Sequence, residues 1–496
     1  MDYALLYAAY AEQQRQRGWP RQRLLHECLR AAIRNGTLAT GTRLVPSRVL
    51  ASELELSRNT VLYAYEQLAS EGFVTTDRRG TVVTALALAS DEPSAAPAPQ
   101  MALSQRVQQL RPLPGPAGMM GAFVSGVPAL DHFPLTLWRR MLERALRGLT
   151  AQQLNYGDPA GEPLLREAIA DHLRASRGVV CDASQVFITD GTQSSLDLCA
   201  RAFADAGDTA WLENPAYGGA LAAFRGAGLN VAGIDVDDDG IAPGAEDWLL
   251  QPPRLIYTTP SHQYPTGSVL SLRRRLMLIE AARAAGALII EDDYDSEFRY
   301  DGAPLSAMQG LAADAPVLYL GTFSKTMFPA LRIGFLVVPK SVTAALAQVR
   351  ALSSARGRTA EQLALAEFLR SGQFARHLRR MRRLYRQRRD ALIAALERHL
   401  GTVAQVHGAS AGMHLVLRWH DAALDDVAIS AQARRHGIVA HALSAQVAGP
   451  ASAWHGLMLG YAQVPAERME ELVRQLAALV HLAAFTAGRA SRTSGR

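Results

Sequence analysis

The chain has 496 residues, 49% of them apolar and 20% charged, with a formal net charge of +6 at neutral pH. That length and apolar content call for two or three domains with real cores, and the mild basic excess permits a polyanionic partner without demanding one. Three scattered cysteines (Cys28, Cys181, Cys199) argue against a disulfide framework or a zinc centre, and the lack of a basic leader or an apolar run of about 18 residues argues against export or a membrane span, so a reducing cytoplasm is expected.

In chain order, LLHECLRAAIRNG predicts an amphipathic helix stopped by Gly36. Pro46 and Ser47 open a second short helix that Ser47 can cap, and ELEL makes the turn. Ser57 caps a third helix whose buried face is expected to carry Val61, Leu62, Tyr65 and Leu68. Its first turn offers Arg58, Asn59 and Thr60, three polar groups able to reach bases or phosphates. FVTTDRRGTVV then predicts two short strands around a tight turn tipped by Arg78 and Arg79. An ordinary helical bundle with polar tips fits part of this pattern. The full order of helices and hairpin is more specific, and residues 15–84 read as one small domain.

Residues 85–120, rich in Ala, Pro and Ser, read as a linker. From 121 to 485, helical patterns alternate with the short apolar runs SQVFITD, TAWLEN, PRLIYTTP, GALIIEDD, PVLYLGT and RIGFLVVP. That alternation predicts an α/β domain with a parallel or mixed sheet and helices on both faces. Residues 486–496 are expected to be a disordered tail. Nine arginines between Arg370 and Arg389 are expected on one helix, either as a solvated face or as a second contact to a DNA backbone.

The residues that carry chemistry follow the apolar runs, where open α/β sheets place ligands. Of 52 basic residues only Lys325 and Lys340 are lysines. Lys325 lies in GTFSKTMFPALRIG, and an amine can lose a proton and form a Schiff base where a guanidinium cannot. Gly191, Thr192 and Gln193 sit at a helix start that favours a phosphate. Tyr217 in ENPAYGG is a ring able to stack on a flat cofactor, and LIIEDDY supplies Asp292 and Tyr294. Thr322 and Ser324 precede the lysine, and Arg332 follows it. Together these are the parts that pyridoxal 5'-phosphate (PLP) requires: an amine, a carboxylate for the pyridine nitrogen, a phenol, a stacking ring and phosphate donors. No metal site is expected.

Two resemblances follow from these stretches. LVPSRVLASELELSRNTVLYAYEQLASEG with RRGTVV resembles the winged helix-turn-helix of GntR regulators, with Val45 at a usual proline and Arg78 at a usual wing glycine. That resemblance implies operator contacts by Arg48, Ser57, Arg58, Asn59, Thr60, Arg78, Arg79 and Gly80. The order from Phe123 to Ala462 resembles class I aminotransferases of fold type I. The whole chain, with phrases such as TPSHQYPTG and EDDYDSEFRY, is similar to the MocR/GabR-type regulators. The likeness implies that Lys325 holds PLP as a Schiff base, Asp292 pairs with the pyridine nitrogen, Tyr294 meets the phenolic oxygen and Tyr217 stacks. It further implies that Gly191, Thr192, Thr322 and Arg332 cradle the phosphate, and that Tyr156 reaches the phosphate of a partner subunit in a head-to-tail homodimer.

The chain also departs from that pattern. Tyr264 replaces the asparagine usual before P-T-G. Met458 aligns with the arginine that clamps a substrate carboxylate, and Gly219 stands where some members carry another arginine. A thioether cannot make a bidentate carboxylate clamp. The expected function is a transcriptional regulator that binds double-stranded DNA and senses PLP, an amino acid or an amine. The alternatives are a working aminotransferase with an accessory head, and a DNA-binding protein with a dead pocket.

Overall fold

The computed structural model describes residues 1–85, 102–108, 110, 120–302, 305–353, 357–449 and 453–494. The chain divides into two compact units, Met1–Ala102 and Leu103–Arg496.

The first unit holds α1 (Tyr3–Gln13), α2 (Arg21–Arg34), α3 (Ser47–Glu53), α4 (Arg58–Ser70) and a hairpin of β1 (Val74–Asp77) and β2 (Gly80–Val83). Leu25, Leu29, Leu50, Val61, Ala64, Leu68 and Val83 meet in one core. Three details differ from expectation. The unit includes α1, ahead of residue 15, because Tyr3 is buried and its amide donates to Glu53 Oε1 at 3.1 Å. Ser47 is the first helical residue and Pro46 stands at the cap with no side-chain bond. On α4 the buried stripe is Val61, Ala64, Tyr65 and Leu68; Leu62 lies one residue off the 3.6-residue period and is half-buried.

The second unit begins with α5 (Gln105–Gln108), α6 (Leu135–Arg147) and α7 (Pro163–Arg177). Next come β3 (Val186–Thr189), α8 (Thr192–Phe203), β4 (Thr209–Asn214), α9 (Gly218–Gly226), β5 (Asn230–Asp237), β6 (Gly240–Ile241) and α10 (Ala245–Leu250). They are followed by β7 (Leu255–Thr258), α11 (Leu272–Ala285), β8 (Leu288–Asp293), β9 (Val317–Thr322) and β10 (Gly334–Val337). Eight strands form one sheet in the order β3-β10-β9-β8-β7-β4-β5-β6. β5, β4, β7, β8 and β9 run parallel, while β10 is antiparallel to both neighbours, so the expected mixed sheet is present. The central strands are buried on both faces, which explains why they read as unbroken apolar runs.

The chain then continues through α12 (Thr343–Ser353), α13 (Thr359–Arg370), α14 (Gln373–Leu400), β11 (Ala404–His407), β12 (His414–Trp419), α15 (Asp426–Arg435), β13 (His441–Ala442), β14 (Gly456–Gly460) and α16 (Met469–Ser494). The last four strands make a smaller antiparallel sheet ordered β11-β12-β14-β13.

The arginine run is not one helix. Arg370 ends α13, and Gly372, at φ +73°, separates it from α14. Nor does the run form one face. Arg376, Arg379, Arg380, Arg383 and Arg386 are exposed, whereas Arg388 donates to the Ala462 carbonyl and Arg389 pairs with Asp301 at 2.8 Å, both buried. The boundary expected at residue 485 falls inside α16, which runs through Ser494. Most of the expected linker lies outside the described residues.

Candidate functional site

The carboxyl ends of β7, β8 and β9 open into a cavity of about 430 Å³. Lys325 follows β9, and its Nζ donates to the Gly126 carbonyl at 2.8 Å. Burial pushes the amine below its ordinary pKa, against the pull of Asp295 and Asp292, which favours the proton-free, nucleophilic form.

Asp292 stands on β8, fully buried. Its Oδ2 accepts from the Tyr257 hydroxyl at 2.9 Å, and its Oδ1 has no partner. Burial raises this carboxyl to about 7, with the Tyr257 hydrogen bond acting in the opposite sense. A buried acceptor with no donor is costly, so this oxygen calls for a ligand N–H.

The aromatic residues enclose the cavity. Tyr217, just before α9, stands edge-on to Tyr264, with ring centroids 5.4 Å apart. Tyr294 donates to the His262 carbonyl at 2.8 Å and lies 3.1 Å from His262 Nδ1, so its hydroxyl is engaged within the protein. Behind it, His262 Nδ1 is 3.1 Å from Asp295 Oδ2, and the His414 ring lies 4.7 Å from the His262 ring. Burial opposes the charge on His262, but Asp295 and the Gly408 carbonyl outweigh it and raise its pKa. His414 is driven well below the ordinary value by burial and by His262.

The phosphate candidates gather at the start of α8. Gly191 occupies the cap position at φ +99°, and a Cβ there would lie 3.6 Å from Arg332 Nη1. Thr192 lines the cavity, and buried Thr322 accepts from the Ser324 amide at 3.2 Å. Free backbone amides at a helix start beside a guanidinium are an arrangement that suits an anion. Tyr156 stands apart, 87% exposed and away from the cavity.

Both departures from the clamp pattern have structural reasons. Met458 is buried on β14 among Val416, Leu443 and Trp454, with Tyr264 packed against the group. At Gly219 a Cβ would lie 2.5 Å from the Tyr217 ring, so no side chain fits there while that ring keeps its place.

Several lining residues went unassigned in the sequence: Gly126, Tyr257, Asp295, His414 and Arg225. Tyr257 and His262 lie in the quoted stretches PRLIYTTP and SHQYPTG, a signal that could have marked them. Gly126 and Arg225 carried none. The buried Glu213 carboxylate binds Thr258 Oγ1 at 2.5 Å, Thr259 Oγ1 at 2.7 Å and Gln263 Nε2 at 3.1 Å, and so fixes the loop that carries Tyr264.

In the first unit, Ser57 accepts from the Thr60 amide at 3.1 Å, so the expected cap is present. Arg48, Ser57, Arg58, Asn59, Arg78 and Arg79 are exposed, while Thr60 and Gly80 are half-buried. Gly80, at φ +130°, pairs with Asp77 to close the hairpin, and Asp77 Oδ1 takes the Arg79 amide at 2.7 Å.

Two family models match the chain. Bacterial regulatory proteins, gntR family, covers residues 22–83, and Aminotransferase class I and II covers residues 123–476. The probable rhizopine catabolism regulatory protein MocR of Rhizobium meliloti is 39% identical over 92% of this chain and 93% of its own length. The HTH-type pyridoxine biosynthesis transcriptional regulator PdxR of Corynebacterium glutamicum is 33% identical over 79% of this chain and 82% of its own. Among solved structures, the α-aminoadipate aminotransferase LysN of Thermus thermophilus, complexed with N-(5'-phosphopyridoxyl)-L-leucine, matches with a TM-score of 0.67 at 27% identity, covering 77% of this chain and 96% of that one. No helix among the described residues is long and apolar enough to cross a membrane.

Proposed function

This chain belongs to the GntR-family transcriptional regulators that carry an aminotransferase class I and II body, and on that premise we propose that its body senses PLP, alone or with an amine, and thereby controls operator binding by its head. The observation that carries the reading is the partnerless Asp292 Oδ1 in the same cavity as the Lys325 amine. The residues present fit PLP: a pyridinium N–H would satisfy that oxygen and bring the carboxyl back toward its ordinary range. When bound, PLP supplies an electrophilic carbonyl for amines and a chromophore that reports them.

The chain's own groups divide the work. Lys325 Nζ, held at the Gly126 carbonyl and disfavoured as a cation, is the amine that meets the carbonyl. Tyr257 holds Oδ2 of Asp292, which would leave Oδ1 for the pyridine nitrogen. Tyr217 would cover the ring face, and Tyr264 stands edge-on to it. Tyr294, whose hydroxyl donates to the His262 carbonyl, would be the phenol for the phenolic oxygen. Gly191, Thr192, Thr322 and Arg332 would take the phosphate. Exposed Tyr156 is assigned to the phosphate of a second copy in a head-to-tail homodimer.

At the operator, the start of α4 with Arg58, Asn59 and Thr60 enters the major groove, Arg48 and Ser57 contact the backbone beside it, and Arg78, Arg79 and Gly80 form the wing. For the body to be a sensor, its ligand must change DNA affinity or DNA geometry.

The test compares purified wild type with Lys325→Ala. Wild type should show the absorbance band of lysine-bound PLP and the variant should not, and operator affinity should respond to PLP in wild type alone. A wild-type protein that takes up no PLP would sink the sensor reading and leave only the DNA-binding one.

A further inference from the structure

Five arginines of α14 share one face that the body leaves uncovered. Among the described residues Arg376, Arg379, Arg382, Arg383 and Arg386 alone line a concavity of about 520 Å³, separate from the cavity that holds Lys325. At 3.6 residues per turn they fall within about 120° of arc, and at about 1.5 Å per residue they extend about 15 Å along the helix. Arg382 donates to the Glu297 carbonyl and Arg386 to the Tyr300 carbonyl, each at 2.8 Å, contacts that aim the side chains but cancel no charge. Arg376, Arg379 and Arg383 are exposed and make no ion pair or hydrogen bond among the described residues.

The rest of the helix shows the contrast. Arg388 and Arg389 are buried and bonded, to the Ala462 carbonyl and to Asp301. On the open face, like charges three and four residues apart repel, as Arg379 does with Arg376, Arg382 and Arg383. One carboxylate cannot relieve all of these contacts; an anion with several charges at short intervals can. Outside the described residues the chain has only two acids, Asp91 and Glu92, too few to neutralise the stripe. Double-stranded DNA carries one negative charge per about 1.7 Å of its axis, and about four phosphates of one strand pass along about 15 Å. A guanidinium fork also matches the geometry of a phosphate.

We propose that the arginine stripe of α14 binds the phosphate backbone of double-stranded DNA beyond the bases that the head reads. This rests on the reading of the head as the operator binder, which brings a duplex to the same molecule. The body then contributes a second, sequence-independent DNA contact in addition to its role as sensor.

The experiment measures, by fluorescence anisotropy across a salt series, binding of the full-length protein with PLP present to a random-sequence duplex of about 40 base pairs. In Arg376→Gln/Arg379→Gln/Arg383→Gln, affinity near physiological salt should fall at least about tenfold. The slope of log affinity against log salt should shrink by about 2 to 3, a step of ~0.9 for each lost phosphate contact. Lysine at the same three positions should keep most of the slope, because a point charge still meets a phosphate. Glutamine at Arg273, Arg468 and Arg474, exposed arginines elsewhere on the body, should change the slope by less than about 1. An unchanged slope in the first variant overturns the proposal, and so does an equal loss in the Arg273, Arg468 and Arg474 variant, which leaves net charge as the whole effect. A first variant that keeps its slope but loses self-association assigns the stripe to a second copy and overturns the proposal too. A wild type that does not bind the duplex overturns the reading of the head, and this proposal with it.

Discussion

Replacing Asp292 with asparagine separates what this residue costs the fold from what it does for the ligand. In the cofactor-free protein, burial lifts the carboxyl from 3.8 to about 7. At ~1.4 kcal/mol per pH unit, that is a folded-state penalty of about 4 kcal/mol once the group is ionised. The sign follows from the raised value. Below 3.8 both folded and unfolded forms are protonated and no penalty exists. Between 3.8 and about 7 the folded form holds the extra proton and stability falls as pH rises. Above about 7 the whole penalty is present. Asparagine never ionises, but it introduces an amide donor into a buried site at about 1–3 kcal/mol. The cofactor-free variant should therefore be less stable than wild type near pH 4 and more stable by about 1–3 kcal/mol near pH 8. PLP should reverse the order at pH 8, because a carboxylate would hold the protonated ring nitrogen by a charge-assisted bond that a neutral amide cannot match. Denaturant titration of both stripped proteins across this range, with and without PLP, measures it. A stability difference that is constant with pH, or a variant less stable at pH 8, would refute the account of Asp292.

Two further outcomes are expected in the head. Ser57→Ala removes the acceptor for the Thr60 amide, so the head should lose about 1 kcal/mol, read as a lower unfolding midpoint, and operator affinity should fall with it. Arg78→Ala with Arg79→Ala removes two exposed cations from the wing tip, so the slope of log affinity against log salt should shrink by about 2 if both meet phosphates, uniformly across operator sequences. An unchanged slope would mean that the wing tip does not meet the backbone.

The sequence determined whatever depends on near neighbours or on chemical scarcity. The Ser57 cap is a bond between residues three apart, and the strand–helix alternation is a periodicity, so both are local. Lys325 and Asp292 could be picked out because few residue types can do what they do and because each follows an apolar run. Pro46, not Ser47, holds the cap of α3, and α1 is secured by contacts with α2 and α3 that its own sequence does not announce.

Tertiary structure alone decided which side chains share the cavity. The order β9-β8-β7-β4 sets Tyr257 beside Asp292 across 35 residues of chain, and a loop 199 residues away delivers the Gly126 carbonyl to Lys325. The same sheet order turns one face of α9, and with it Arg225, toward the ligand space. Such meetings are fixed by the global packing of the sheet and its covering helices, to which no short window of sequence is sensitive. The orphaned oxygen of Asp292 belongs to that class: an acidic residue after a strand is legible, but its missing partner appears only when every neighbour is in place.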